Sequence, residues 1–230
     1  MPVALITGAS RGFGRAVARE LAGQHWTLVL TARTASDLHR VAVETGPGHD
    51  ALPGDVTDPA HRLALADAVR RHGRLDLLLN NASALGPSPL PRVADLPLPA
   101  FDDVLLTNVL APFALTQLLL GDLLRTDGLL VNVSSDAAVE AYPGWGAYGS
   151  AKAALDHLTA VLAVEEPALR AYAFDPGDMR TDMHQAAYPG EDISDRPEPE
   201  TVVPALLGLL LRRPPSGRYR ASDLLAGVPA

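Results

Sequence analysis

Short apolar runs alternate along this chain with longer stretches of helical periodicity, and this alternation constrains the fold more than any other feature. The runs are Val3–Thr7, Thr27–Ala32, 75–80, 128–134 and Arg170–Asp175, with a third-strand region at 51–54 and a weak last run at Gly217–Arg220. Strands that are apolar throughout belong in a parallel sheet covered on both faces. The helical stretches 15–22, 36–44, 60–71, 101–125 and 148–164 supply the covers. Ser36 and Asp37 read as a helix cap, and Thr57-Asp58-Pro59 as a helix start. Pro112 should kink or divide the helix that contains it. The expected class is α/β, one doubly wound domain over 1–230 with helices on both faces of a parallel sheet.

Two segments break the rhythm. The segment 85–99 carries five prolines and reads as a surface loop. The polar segment 181–200 is long for a connection in a compact domain, which suggests a lid or substrate loop.

Composition excludes several classes. There are 19 basic and 27 acidic residues, a net charge of −8, so a phosphate backbone or an anionic lipid surface would be repelled. No cysteine is present, which removes disulfides, thiolate nucleophiles and Cys-ligated zinc. The seven histidines show no paired metal spacing and read as surface or cap residues, with no catalytic metal expected. His184 lies in the substrate-loop region, where it reads as a solvated loop residue in preference to a substrate contact. No signal peptide is evident at Met1–Thr7, and no apolar stretch is read as reaching the ~20 residues a membrane helix needs. A cytoplasmic protein is expected.

Between the first strand and first helix lies Thr7-Gly8-Ala9-Ser10-Arg11-Gly12-Phe13-Gly14. Glycines there let the backbone turn sharply against a pyrophosphate, while the helix N-terminus offers free N–H groups and partial positive charge. Dinucleotide folds that prefer NAD place an acid after the second strand to accept from the ribose 2′-hydroxyl. This chain has Arg33 there, with Arg11 in the glycine loop, and two arginines suit a 2′-phosphate. The cofactor expected is NADP(H). Asp55 and Val56 are placed to hold the adenine end.

Tyr148 and Lys152 stand at i and i+4, on one helix face. A tyrosine titrates near ~10 and needs a neighbouring cation to exchange protons at neutral pH. Ser135 ends a strand at the edge where open α/β sheets place ligands. Asn108 lies near Pro112, where broken helix hydrogen bonding accommodates a polar group; it reads equally as a buried helix amide. Trp145 reads as pocket wall or as core.

Thr7-Gly8…Gly12-Phe13-Gly14, Asn80-Asn81-Ala82, Asn108, Ser135, Tyr148…Lys152 and Pro176-Gly177 resemble, in order and spacing, the short-chain dehydrogenase/reductase family in its compact single-domain branch. The glycine loop looks like that of sepiapterin and related carbonyl reductases. The resemblance implies a Rossmann fold and hydride transfer between nicotinamide and a carbonyl or alcohol on a small organic molecule. It implies Tyr148 as general acid/base and Lys152 as the cation that lowers its pKa and holds the nicotinamide ribose. Ser135 would bind the substrate oxygen, and Asn108 would anchor a water relaying protons to Lys152. Asn81 and Ala82 would pack near the adenosine ribose; Pro176, Gly177, Met179 and Thr181 would contact the nicotinamide half. Gly8, Ser10, Arg11, Gly12, Phe13 and Gly14 would hold the phosphates. A homodimer or homotetramer through the two long helices is implied.

Ser83 stands where that family usually has glycine, a change expected to affect mainly a turn. The finish from Arg218 to Asp223 lacks the usual glycine-rich pattern. Two rival readings exist. A catalytically silent NADP sensor needs only the phosphate end, and the four catalytic-type residues argue against it. A nucleotide-sugar epimerase or dehydratase needs an added substrate domain for which 230 residues leave no room.

Overall fold

The computed structural model describes residues 1–226. Seven strands form one parallel sheet: β1 (Val3–Thr7), β2 (Thr27–Ala32), β3 (Asp50–Pro53), β4 (Leu77–Asn80), β5 (Leu129–Val133), β6 (Arg170–Asp175) and β7 (Gly217–Arg220), in the order β3-β2-β1-β4-β5-β6-β7. The order reverses between β1 and β4, and open sheets of this kind bind ligands outside the carboxyl ends at that point. β1, β2, β4 and β5 are buried along their whole length, as the apolar runs require.

Helices α1 (Gly12–Gly23), α2 (Ala35–Thr45), α8 (Val203–Arg212) and α9 (Ala221–Ala226) pack with Phe13, Leu21, Leu38, Leu206 and Leu209 on one core. On the other face, α3 (Pro59–Arg71) and α5 (Ala111–Arg125) bury Leu65, Val69, Leu115, Leu119 and Leu123. The Asp58 carboxylate accepts from Ala60 N, 2.9 Å, and with Pro59 sets the start of α3. At α2 the expected Ser/Asp cap is not used; Thr34 is the capping position and makes no side-chain bond. Asp37 instead pairs with Arg40 one turn on. A buried amide chain crosses the sheet: Asn80 Nδ2 donates to Asn132 Oδ1 at 2.8 Å, and Asn132 Nδ2 donates to Thr159 Oγ1 at 2.8 Å.

Pro112 goes with a widened turn in the helix and does not divide it. α4 (Leu98–Leu105) passes into a π turn, Leu106–Leu110, before α5. Pro112 has no N–H for the Asn108 carbonyl four residues back, and the helix widens so that Ala111 N bonds Leu106 O. The continuous run Leu98–Arg125 is long and apolar enough to cross a membrane by composition, which corrects the expectation that no stretch is. Here it is a covering helix, with Leu115, Leu119 and Leu123 at 1% exposure or less against the sheet.

The segment 181–200 is more ordered than a loop. It contains α7 (Asp182–Ala187) and a 3-10 turn, Pro199–Thr201, and it packs back over α6 (Gly146–Glu165).

Candidate active site

The carboxyl ends of the strands open into one cleft of about 970 Å³, running from the glycine loop past Tyr148 and Lys152 to α7. Of the residues singled out in the sequence, Gly8, Ser10, Arg11, Gly12, Phe13, Arg33, Asp55, Val56, Asn81, Ala82, Ser135, Tyr148, Lys152, Pro176, Gly177, Met179 and Thr181 line it. Gly14 and Asn108 do not line it and stand behind its wall.

At the glycine end, Gly8 takes φ +64° and a Cβ on Gly14 would lie 2.4 Å from the Gly8 carbonyl oxygen. Only glycine lets α1 come this close to its own loop. Asn81 braces the turn: its Nδ2 donates to Thr7 O at 2.9 Å and Gly8 O at 3.1 Å. The Thr7 hydroxyl accepts from Asn81 N and Ala82 N, each at 3.0 Å. Phe13 turns inward and stacks on Phe174, ring centroids 5.8 Å apart.

The two arginines of the phosphate end do not act as an isolated pair. Arg11 bonds Asp182 at 3.0 Å, joining the glycine loop to α7. Arg33 is exposed at the end of β2 and has no ion-pair partner among the described residues. The Asp55 carboxylate is occupied by Thr57 N and Oγ1, and the Val56 carbonyl by Arg62.

At the other end, Tyr148 is 8% exposed and meets Trp145 edge-on, centroids 5.5 Å apart. Burial pushes its phenol pKa up, against the pull of the Ser83 and Ser135 hydroxyls that lie beside it. Lys152 is the chain's only lysine, 2% exposed, and its Nζ donates to the Val133 carbonyl at 2.7 Å. Burial lowers its pKa to about 8, opposed by the Asp156 carboxylate. The expected lowering of Tyr148 by Lys152 does not arise in this arrangement. The ammonium sits 5.4 Å from the ring centroid and is turned to Val133, so desolvation dominates both groups.

Ser135 caps a short 3-10 turn, accepting from Ala137 N at 3.2 Å and donating to Asp136 Oδ1 at 3.0 Å. The Asn108 carboxamide closes on Ala84, accepting from its N–H at 2.7 Å and donating to its carbonyl at 2.8 Å. It makes no bond to Lys152.

At Ser83 and His184 the structure departs from the favoured sequence expectation. The Ser83 hydroxyl lies in the cleft, donates to Asn108 Oδ1 at 3.2 Å and touches the Tyr148 environment, so it is more than a turn residue. Its neighbours come from three separate segments, which local sequence does not reveal. His184 is 9% exposed, not solvated; its ring stands 5.0 Å from Tyr188 because α7 folds inward. Trp145, Tyr188 and Met183 then pack with Leu85 and Tyr148 into an apolar cluster bordering the cleft.

A family model described as short chain dehydrogenase matches residues 2–192. The chain belongs to the short chain dehydrogenase family. It is similar to rat sepiapterin reductase, 37% identical over 201 residues, covering 80% of this chain and 77% of that protein. Serine 3-dehydrogenase from Agrobacterium fabrum is 35% identical over 183 residues, covering 78% and 72%. A short chain dehydrogenase from Shigella flexneri 2a, crystallised with NADP, matches with a TM-score of 0.89 at 33% identity, covering 96% of this chain and 97% of that one. As a short chain dehydrogenase the chain is an oxidoreductase, and its doubly wound parallel sheet is the expected Rossmann fold.

Proposed function

We propose that this short chain dehydrogenase is an NADP(H)-dependent enzyme interconverting a carbonyl and an alcohol on a small organic substrate. It works as a single domain over 1–230, in the cytoplasm, as a homodimer or homotetramer. One observation carries the reading: Tyr148, Ser135 and Lys152 meet at the carboxyl edge of the sheet in the same cleft as the glycine loop.

The cleft suits a dinucleotide. Gly12 and Gly177 take positive φ at its wall, a Cβ on Gly177 would meet nothing within 4 Å, and no side chain caps the N-terminus of α1. Gly8, Ser10, Gly12 and the loop backbone would hold the phosphates, with Arg33 on a 2′-phosphate. Asp55, Val56, Asn81 and Ala82 border the adenosine end; Pro176, Gly177, Met179 and Thr181 border the nicotinamide end. The bound cofactor supplies the hydride.

The chain's own residues do the rest. Tyr148 delivers the proton from its hydroxyl to the substrate oxygen in reduction, or removes it in oxidation. The Ser135 hydroxyl stabilises charge developing on that oxygen. Lys152 would hold the ribose hydroxyls, and Asn108 fixes the Ser83-Ala84 backbone beside the phenol. Trp145, Tyr188 and Leu85 present an apolar wall to the substrate body.

Leu110, Phe113, Val161 and Val164 leave apolar surface exposed on the long helices, which supports the oligomer. The test is NADPH oxidation at 340 nm against a panel of small aldehydes and ketones. Turnover is expected, and Tyr148→Phe lowers kcat about a hundredfold or more while still binding NADPH. NADPH binding with no turnover across the panel, or unchanged turnover in Tyr148→Phe, would favour the silent sensor or overturn the assigned acid.

A further inference from the structure

The departure from the family pattern at the end of the chain has a place in the site. Arg218 is the second residue of β7, paired in register with Ala173 of β6. Its guanidinium points toward the catalytic end and makes three bonds. Nη2 donates to the Ser135 carbonyl at 2.8 Å and to Asp175 Oδ2 at 2.8 Å, and Nε donates to Asp156 Oδ2 at 3.1 Å.

Each acceptor belongs to a different part of the machinery. Ser135 carries the hydroxyl beside the phenol. Asp156 lies one turn beyond Lys152 on α6 and also accepts from the Ser134 hydroxyl at 2.7 Å. Asp175 ends β6, and its other oxygen accepts from Gly177 N at 3.0 Å, which shapes the Pro176-Gly177 turn. The carboxylates are 13% and 4% exposed and the guanidinium 23%. Asp156 Oδ1 is buried with no hydrogen-bond partner among the described residues, so the direct bonds to this carboxylate come from Arg218 and Ser134.

We propose that Arg218 is the positioning residue of this site, one side chain that fixes the Ser135 segment, the Tyr148–Lys152 helix and the Pro176-Gly177 turn relative to one another. This rests on the reading of Ser135, Tyr148 and Lys152 as the reacting groups. A guanidinium is suited to the task because its planar fork reaches several acceptors at fixed angles, while an ammonium is a point charge on a flexible stem. The charged and titratable groups around the network are Lys152, Tyr148 and Asp156 on α6, Asp175 on β6, Arg218 on β7 and Asp136, which accepts from the Ser135 hydroxyl. Arg220 stands at the rim, 3.6 Å from Asp175 and bonded to Glu140. Without Arg218, two buried carboxylates lose their shared cation and the Ser135 carbonyl its donor, so the three segments are free to shift.

The lone lysine makes a direct test possible. Protein labelled with carbon-13 at lysine Cε gives a single side-chain signal, that of Lys152, read by NMR without any cofactor. Three proteins are compared: wild type, Arg218→Lys and the near-isosteric Asp156→Asn. In Arg218→Lys the signal is expected to move, and kcat to fall at least tenfold with KM for the carbonyl changed less than threefold. In Asp156→Asn the Lys152 titration midpoint is expected to fall by at least half a pH unit, because the carboxylate that favours its charge is gone. If Arg218→Lys does not fold, Asp156→Asn, which alters one of the three Arg218 contacts, decides through kcat: a fall beyond twofold supports the proposal and kcat within twofold overturns it. Folded Arg218→Lys with the wild-type signal and kcat within twofold overturns the proposal. Unchanged turnover in Tyr148→Phe would instead overturn the underlying reading of the site, and the lysine signal does not depend on it.

Discussion

Lys152→Met is expected to make the protein more stable and inactive at once. The lysine is buried, and its pKa in the fold is about 8 against 10.5 for the free side chain. At about 1.4 kcal/mol per pH unit, keeping this ammonium charged inside the fold costs on the order of 3 kcal/mol below pH 8. Methionine fills nearly the same volume without charge. The change forfeits the bond to the Val133 carbonyl, about 1 kcal/mol, and leaves that carbonyl unpaired at a similar cost. The net gain is about 1 kcal/mol, or roughly 2–4 °C in Tm for a chain of this size. The folded pKa lies below the unfolded one, so between about pH 8 and 10.5 the unfolded chain holds a proton that the native state has released. Wild-type stability therefore gains on the variant through this window, and the advantage of methionine shrinks and then reverses. Tyr148 and Tyr172, both raised by burial, weaken the two proteins alike at high pH and cancel in the difference. Thermal unfolding of both proteins without nucleotide at pH 7, 8, 9 and 10 measures that difference. A lower Tm for Lys152→Met at pH 7, or a difference constant through pH 10, refutes the reasoning.

Two further outcomes follow from the same geometry. Gly14→Ala puts a methyl 2.4 Å from the Gly8 carbonyl oxygen and 2.5 Å from Asn81 Nδ2; it should destabilise the fold by about 2 kcal/mol and weaken NADPH binding at least tenfold, checked by denaturant unfolding and fluorescence titration. Ser83→Ala removes a hydroxyl that pulls the Tyr148 pKa down. Alcohol oxidation needs the phenolate, so its pH–rate profile should move toward higher pH, with a roughly five- to tenfold loss at pH 7 for about 1 kcal/mol. An unmoved profile would remove Ser83 from the site.

The parts of this molecule legible in sequence are those written in contiguous residues. Glycines at a strand–helix junction state their own purpose, and Tyr148 and Lys152 meet because a helix brings i and i+4 together. Pro112 announced a disturbed helix, though not that the disturbance would be a π turn. What stayed hidden depends on distant segments. Arg218 reads as one more surface arginine until β7 lies beside β6, and Arg11 as a free cation until α7 brings Asp182 to it. His184 looked solvated because 181–200 is polar, yet the inward face of α7 is not. The sign of the Tyr148 shift also escaped local reading, because burial is a property of the whole fold.

The NADP(H) preference proposed for this site rests on Arg33, the cation at the end of β2 left unpaired among the described residues. The most direct measurement is fluorescence titration of wild type and Arg33→Ala with NADPH and NADH at one fixed salt concentration. Wild type is expected to prefer NADPH at least tenfold, about 1.4 kcal/mol, and Arg33→Ala to lose most of that margin while its NADH affinity stays within about twofold. Equal affinity for the two nucleotides in wild type, or binding of neither, would contradict it.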